Sequence, residues 1–184
     1  MDSKKAMLVL TMILFCIFAT GCQNTKEILK EVSTQWKANG RAYGQEFVYE
    51  QGQTVQTAFF NVTINQVTTA EEIEGYVPEN SEHCFAVVNI TVENTFEDFD
   101  SITMLCNDFE LTWDALEGET TFPEYQFYDG QLPNEYNLAY GESKTGNLIF
   151  IVPKEVYAYQ MKYYEIWDDN FIGNTYYMNF LLPQ

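Results

Sequence analysis

Over residues 84–94 the chain alternates with a period of two. Cys84, Ala86, Val88, Ile90 and Val92 fall on one side, while the other side carries Phe85 and Val87 and then turns polar through Asn89, Thr91 and Glu93. One face is fully apolar, and neither Gly nor Pro interrupts the run, so the pattern predicts a long strand in the middle of a sheet. A second alternating set, Ala58, Phe60, Val62 and Ile64, predicts a strand in a region of strands beginning near residue 54. Residues 68–82 are acidic and contain Pro78, which reads as an exposed loop, and residues 97–100 read as a turn. Further strands are predicted over 101–106 and 107–114, with Phe109, Leu111 and Trp113 on one side. A strand over 145–152 is stopped by Pro153, and one over 157–167 places Tyr157, Tyr159, Met161, Tyr163 and Trp167 on one face. After a turn at Asp168, Asp169, Asn170 and Gly173, residues 176–182 give the last strand. Between 117 and 141 the pattern loosens, with a short edge strand expected at 125–128 and loop elsewhere. About seven or eight short strands with turns between them, and no helix required, predict an antiparallel β-sandwich.

The start of the chain follows another pattern. Lys4 and Lys5 precede an uncharged run over 6–18, and Ala19, Thr20 and Gly21 lead to Cys22. The run is shorter than the roughly 18 residues a membrane-spanning helix needs, so it reads as a targeting segment. A plain secretory signal ends in similar small residues but has no need of Cys22. The small-small-Cys ending resembles the bacterial lipoprotein box, and that resemblance implies that Cys22 is diacylated and becomes the first mature residue. The expected organisation is a signal peptide over 1–21, a lipid-anchored tether over 22–52 and a folded domain over 53–184. Within the tether, Ile28, Leu29, Val32 and Trp36 fall near one face of a short amphipathic helix over 25–38, among Lys26, Lys30, Lys37 and Arg41. Such a segment could lie on an anionic membrane surface, each basic residue adding about 1 kcal/mol. The preferred reading is a solvated tether, with Gly40 and Gly44 marking a joint before the domain.

Charge narrows the function classes. Nine Lys+Arg against 27 Asp+Glu give a net charge of −18, the wrong sign for binding nucleic acid phosphates. Aromatic residues make up 16 % of the chain, which favours sheet and supplies a core. His83 is the only histidine, with no Gly-x-Ser-x-Gly turn to pair with it, and is expected on the solvent side of its strand. One histidine and two remaining cysteines make a poor zinc site, and no Gly-rich phosphate loop appears, so neither metal nor cofactor is expected. Glu97, Asp98 and Asp100, or Asp168 and Asp169 with Asn170, offer oxygen ligands that suit calcium, but acidic turns in a chain this acidic read first as solvated. Asn61-Val-Thr63 and Asn89-Ile-Thr91 match glycosylation acceptors and read as ordinary polar strand positions. Cys84 and Cys106 are a candidate disulfide, which would stabilise the domain by about 3 kcal/mol. The alternative is two buried thiols acting as small apolar residues.

The stretch Leu138-Ala-Tyr-Gly-Glu-Ser-Lys-Thr-Gly-Asn-Leu-Ile-Phe-Ile-Val-Pro153 is similar to the signature of the DUF4352 domains, in which a Gly-Glu turn leads to Gly, an apolar run and Phe-x-Val-Pro. Residues 85–94 resemble that family's long strand ending in Asn, and Phe109-Glu-Leu111 its next strand. The resemblance spans roughly residues 53–183. It implies an immunoglobulin-like sandwich of the kind found on many bacterial lipoproteins and in secreted mycobacterial antigens, with no catalytic motif to carry over. Over 114–140 a longer aromatic and acidic loop stands where the family has a short turn.

A lipid-anchored, extracytoplasmic binding or accessory module without catalytic activity is therefore expected, contacting an unidentified protein of the cell envelope. The alternative is a cell-wall or other carbohydrate, held by Tyr163, Trp167, Tyr176 and Tyr177 if these line one groove. A hydrolase is disfavoured because no nucleophile with a base can be named. Phe122, Tyr125, Phe127, Tyr128 and Tyr136 in the long loop form the candidate partner surface, since aromatic anchors among charges suit a protein contact. The competing expectation is that these aromatics fold back and cap the sandwich.

Overall fold

The computed structural model describes residues 44–113, 118–167 and 171–183. The targeting segment, Cys22, the 25–38 stretch and the turn at 168–170 lie outside them. The described strands, in chain order, are β1 (Glu46–Glu50), β2 (Thr54–Gln56), β3 (Phe60–Ala70), β4 (His83–Asn94), β5 (Ser101–Leu105) and β6 (Phe109–Trp113). They continue with β7 (Glu119–Thr121), β8 (Glu135–Ala139), β9 (Ser143–Pro153), β10 (Ala158–Ile166) and β11 (Ile172–Leu181).

The period-two stretch sits where its pattern requires. β4 lies between β3 and β9 in a four-stranded sheet of order β2-β3-β4-β9. Ala86, Val88, Ile90 and Val92 are fully buried, whereas Asn89, Thr91 and Glu93 face outward. There they join cross-strand polar pairs, Asn89 Nδ2 donating to Asn147 Oδ1 at 2.8 Å and Thr91 Oγ1 lying 2.7 Å from Thr145 Oγ1. The acceptor-like Asn61 and Asn89 are thus polar strand positions. β3 carries a bulge at Asn65, whose Nδ2 donates to both Asn89 and Thr91 and so ties the extra residue to the sheet.

A five-stranded sheet of order β1-β11-β10-β6-β7 packs over the first, and β5 and β8 form a separate two-stranded ladder. All pairs are antiparallel except β1 with β11. Phe60 of the first sheet meets Tyr163 and Phe109 of the second at ring distances of 4.7 and 6.1 Å, closing the core between them. The architecture is a β-sandwich.

Asn94, fully buried, explains why the long strand ends in Asn. Its Nδ2 donates to the Leu138 carbonyl, its Oδ1 accepts from Phe96 N–H, and its own carbonyl accepts from Gly141 N–H. Gly141 has φ +76°, a backbone state that glycine alone adopts without strain, so the Gly-Glu turn is held against the end of β4.

The strands depart from expectation at several points, one being β7, which forms where loop was expected. β1 lies in the stretch read as tether, where only Phe47 and Tyr49 face inward and the pattern is too short to stand out. β8 forms where loop was expected, with Tyr136 and Leu138 buried. Residues 125–128 are not a strand. Their segment instead runs along the free edge of β9, with Glu124 N–H donating to the Ile149 carbonyl at 2.7 Å and Leu132 N–H to the Asn147 carbonyl at 2.9 Å. The contact is close because Gly146 has no side chain: a Cβ there would lie 2.8 Å from Leu132. This cap covers backbone groups that a bare edge strand would expose.

Candidate binding cavity

β7 pairs with β6 only from Leu111 to Trp113, leaving the Phe109 and Glu110 end of β6 without an outer neighbour. At that end the β4–β5 connection, β5 and the last residues of β10 surround a cavity of about 700 Å³. Aromatic residues supply nearly half of its lining. Phe59 stands edge-on to Phe96 at 5.2 Å and against Trp167 at 4.8 Å, and Phe96 stacks on Phe99 at 5.4 Å. Ile102, Met104 and Tyr163 add apolar surface, as does Phe122, the residue after β7. Phe99 is 57 % exposed although it stacks on Phe96, and Phe122 is 52 % exposed.

The charged groups lining the cavity are Asp98, Asp108 and Glu110. Glu110 is paired with Lys162 at 3.0 Å, and the same ammonium sits 4.9 Å from the centre of the Tyr164 ring. Asp108 accepts from Leu105 N–H at 2.8 Å, and burial pushes its carboxyl above the ordinary aspartate range.

Behind the wall lies Glu165, 3 % exposed, on the inward face that the aromatic pattern of β10 marked without including it. Its Oε1 accepts from Ala58 N–H at 2.8 Å and from the Tyr176 hydroxyl at 2.6 Å, and its Oε2 from Asn174 N–H at 2.9 Å. The carboxylate thereby ties β10 and β11 to the chain just before β3. It holds in place the segment that carries Phe59 and Phe60.

The five aromatics expected to form a partner surface are not brought together on one face. Phe122 lines the cavity and Tyr125 is 68 % exposed. Phe127 packs on Tyr76 and Phe85 at 4.9 and 6.0 Å, the Tyr128 hydroxyl accepts from Asn147 Nδ2 at 2.7 Å, and Tyr136 is buried. The last three belong to the cap and core. The expected carbohydrate groove is divided: Tyr163 and Trp167 both line the cavity, whereas Tyr176 is buried in the core and Tyr177 lies on the opposite face of β11.

The candidate disulfide is not formed: Cys84 and Cys106 are free and buried. Cys84 sits in the β4–β9 ladder beside Glu71 and Lys154, whereas Cys106 lies in a 3-10 turn with Asn107 and Asp108. Burial pushes both thiols up, away from the reactive thiolate. His83 is half-buried rather than on the solvent side, with Nδ1 buried and without a hydrogen-bond partner. Among the described residues no group of three or more His, Cys, Asp or Glu is arranged to hold a metal ion. The Glu97 carboxylate, one of the candidate calcium ligands, accepts instead from the Tyr140 hydroxyl at 2.9 Å.

A sequence model of the family described as a domain of unknown function, DUF4352, matches residues 49–172. The chain belongs to the DUF4352 family. No curated protein matches it. Among solved structures, a candidate lipoprotein (ycdA) of Bacillus subtilis superposes with a TM-score of 0.55 at 18 % identity, over 71 % of this chain and 38 % of that one. This chain therefore spans well under half the length of that protein. The yjhA protein of Bacillus subtilis gives 0.50 at 19 % identity, over 73 % and 97 % of the two chains. MPT63, a secreted protein of Mycobacterium tuberculosis, gives 0.50 at 12 % identity, over 73 % and 98 %. At these identities the likeness is one of fold, and it places this DUF4352 domain among β-sandwiches. Sequence reasoning missed Phe96 and Phe99 at the cavity, and singled out Asp98 only as a candidate calcium ligand, because residues 97–100 read as a turn. Two phenylalanines in an otherwise acidic turn were the signal that could have found it.

Proposed function

We propose that this protein is a lipid-anchored, extracytoplasmic binding domain that holds an apolar ligand in the cavity beside Phe96 and Trp167 and carries out no chemical conversion. The observation that carries this reading is the cavity itself: concave, lined in good part by aromatic rings, and of a volume typical of small-molecule sites. The raised thiols and the isolated His83 support binding over catalysis, because none is placed as an activated nucleophile or its base. The small residues before Cys22 support the anchor, and the fold shared with a candidate lipoprotein is consistent with it. An envelope protein as partner has one observation in its favour, the exposed Tyr125 on the cap.

Two experiments test the proposal. Fatty-acid labelling and membrane fractionation should show label and retention in the parent and neither in Cys22→Ala; undiminished labelling of the variant would remove the anchor. Nile red, a neutral apolar dye, should bind the chain saturably at one site and bind much more weakly to Phe99→Ser. Dye binding that never saturates, or that ignores Phe99→Ser and Phe122→Ser alike, would remove the cavity as the site.

A further inference from the structure

The ligand class can be narrowed further, on the reading that the cavity is the binding site. We infer that the cavity takes an amphipathic organic cation: a small molecule with an aliphatic or aromatic body and one ammonium group.

Three features converge on that chemistry. Nearly half of the lining is aromatic, and ring faces such as those of Phe96, Phe99 and Trp167 attract cations as well as apolar bodies. Every charged residue lining the cavity is acidic. Of these, Glu110 is already neutralised by Lys162, with both side chains largely buried, so it is not the counter-charge. Asp98 and Asp108 remain, one on the β4–β5 connection and one in the turn before β6, on either side of the β5 segment that the cavity runs along. An anionic ligand would bring a third negative charge beside the exposed Asp98 and the half-buried Asp108, which repulsion opposes. A neutral ligand would leave the Asp108 carboxylate without a cation in that space. A small molecule fits better than a macromolecular partner, because the surface is a pocket of about 700 Å³ rather than a flat patch.

The test uses the chain from residue 22 onward bearing Cys22→Ala, so that no lipid competes for the site. Decyltrimethylammonium, decanol and decyl sulfate share one apolar body and differ in charge. The two ionic compounds are titrated calorimetrically below their micelle concentrations and decanol below its solubility limit, all at physiological salt, where long-range attraction to the acidic surface is screened. The expected result is binding at one site, with the ammonium at least ~10-fold tighter than decanol and the sulfate weakest. Asp98→Asn combined with Asp108→Asn should bring the ammonium to within roughly threefold of decanol while leaving decanol itself unchanged. Phe99→Ser should weaken all three. Thermal melts confirm that each variant remains folded. A sulfate that binds as tightly as the ammonium, or a preference that survives the double Asn variant, overturns the inference. If decanol equals the ammonium and is still lost in Phe99→Ser, the cavity stands as the site and only the cation is wrong. If none of the three binds, both fall.

Discussion

Glu165 is the most exacting point of the packing. It is a carboxylate 3 % exposed, receiving a backbone N–H from the segment before β3 and a backbone N–H and a hydroxyl from β11. Replacing it with Ala strands Ala58 N–H, Asn174 N–H and the Tyr176 hydroxyl, each at a cost of about 1–3 kcal/mol if it stays dry. With partial hydration of the space left behind, a total loss of about 3–6 kcal/mol follows, a large share of the about 5–15 kcal/mol that holds a domain of this kind together. Glu165→Gln is the sharper test. It keeps the volume and one acceptor oxygen but turns an NH₂ group toward an N–H or O–H donor, for a cost of about 1–3 kcal/mol. Tyr176→Phe removes one donor and should cost about 1–2 kcal/mol. Urea unfolding of the three variants should give the order Ala most destabilised, then Gln and Phe. A Glu165→Gln protein within about 0.5 kcal/mol of the parent would refute the reasoning, because the carboxylate would then not be holding these segments.

Two further outcomes are expected. Ile90→Ala should cost about 2–5 kcal/mol in urea unfolding, since its side chain is fully buried between the sheets, whereas Thr91→Ala on the outer face should cost no more than about 1.5 kcal/mol; equal losses would mean that β4 is covered on both sides. Asp108 has a folded-state pKa raised by burial, so ionising it costs stability that is absent below its unfolded pKa and fully felt once the pH exceeds the raised folded value. Asp108→Asn should therefore melt above the parent at neutral pH, with the gap closing as the pH falls through the carboxylate range; a gap that widens on acidification would contradict this.

The strands legible in the sequence alternate apolar residues on one face. β3, β4, β9, β10 and β11 each present three or more inward apolar residues at a spacing of two, while the shorter β5 and β6 show the same spacing with Ile102 and Met104 and with Phe109 and Leu111. The hidden strands owe their existence to partners. β1 has two half-buried inward residues and is held by parallel pairing with β11, and β8 alternates over only five positions and is held by β5 and by Asn94. No local pattern could reveal the cap on β9, because it rests on backbone bonds to a distant strand and on the missing side chain of Gly146. The cavity was hidden for the same reason. Its rings come from β3, the β4–β5 connection, the residues after β7 and β10, and only the sandwich brings them together. Glu165 shares the parity of Tyr163 and Trp167, but a carboxylate adds nothing to an apolar pattern, and its donors lie on the segment before β3 and on β11.

The most direct test of the binding claim is amide chemical-shift mapping of the chain as Nile red is added. The expected result is a saturable set of shifts confined to residues 96–108, 122 and 163–167 and the neighbouring Phe59 and Phe60. Shifts spread over the cap at 124–134 or the outer sheet faces, or no shifts at all, would contradict a binding site in the cavity.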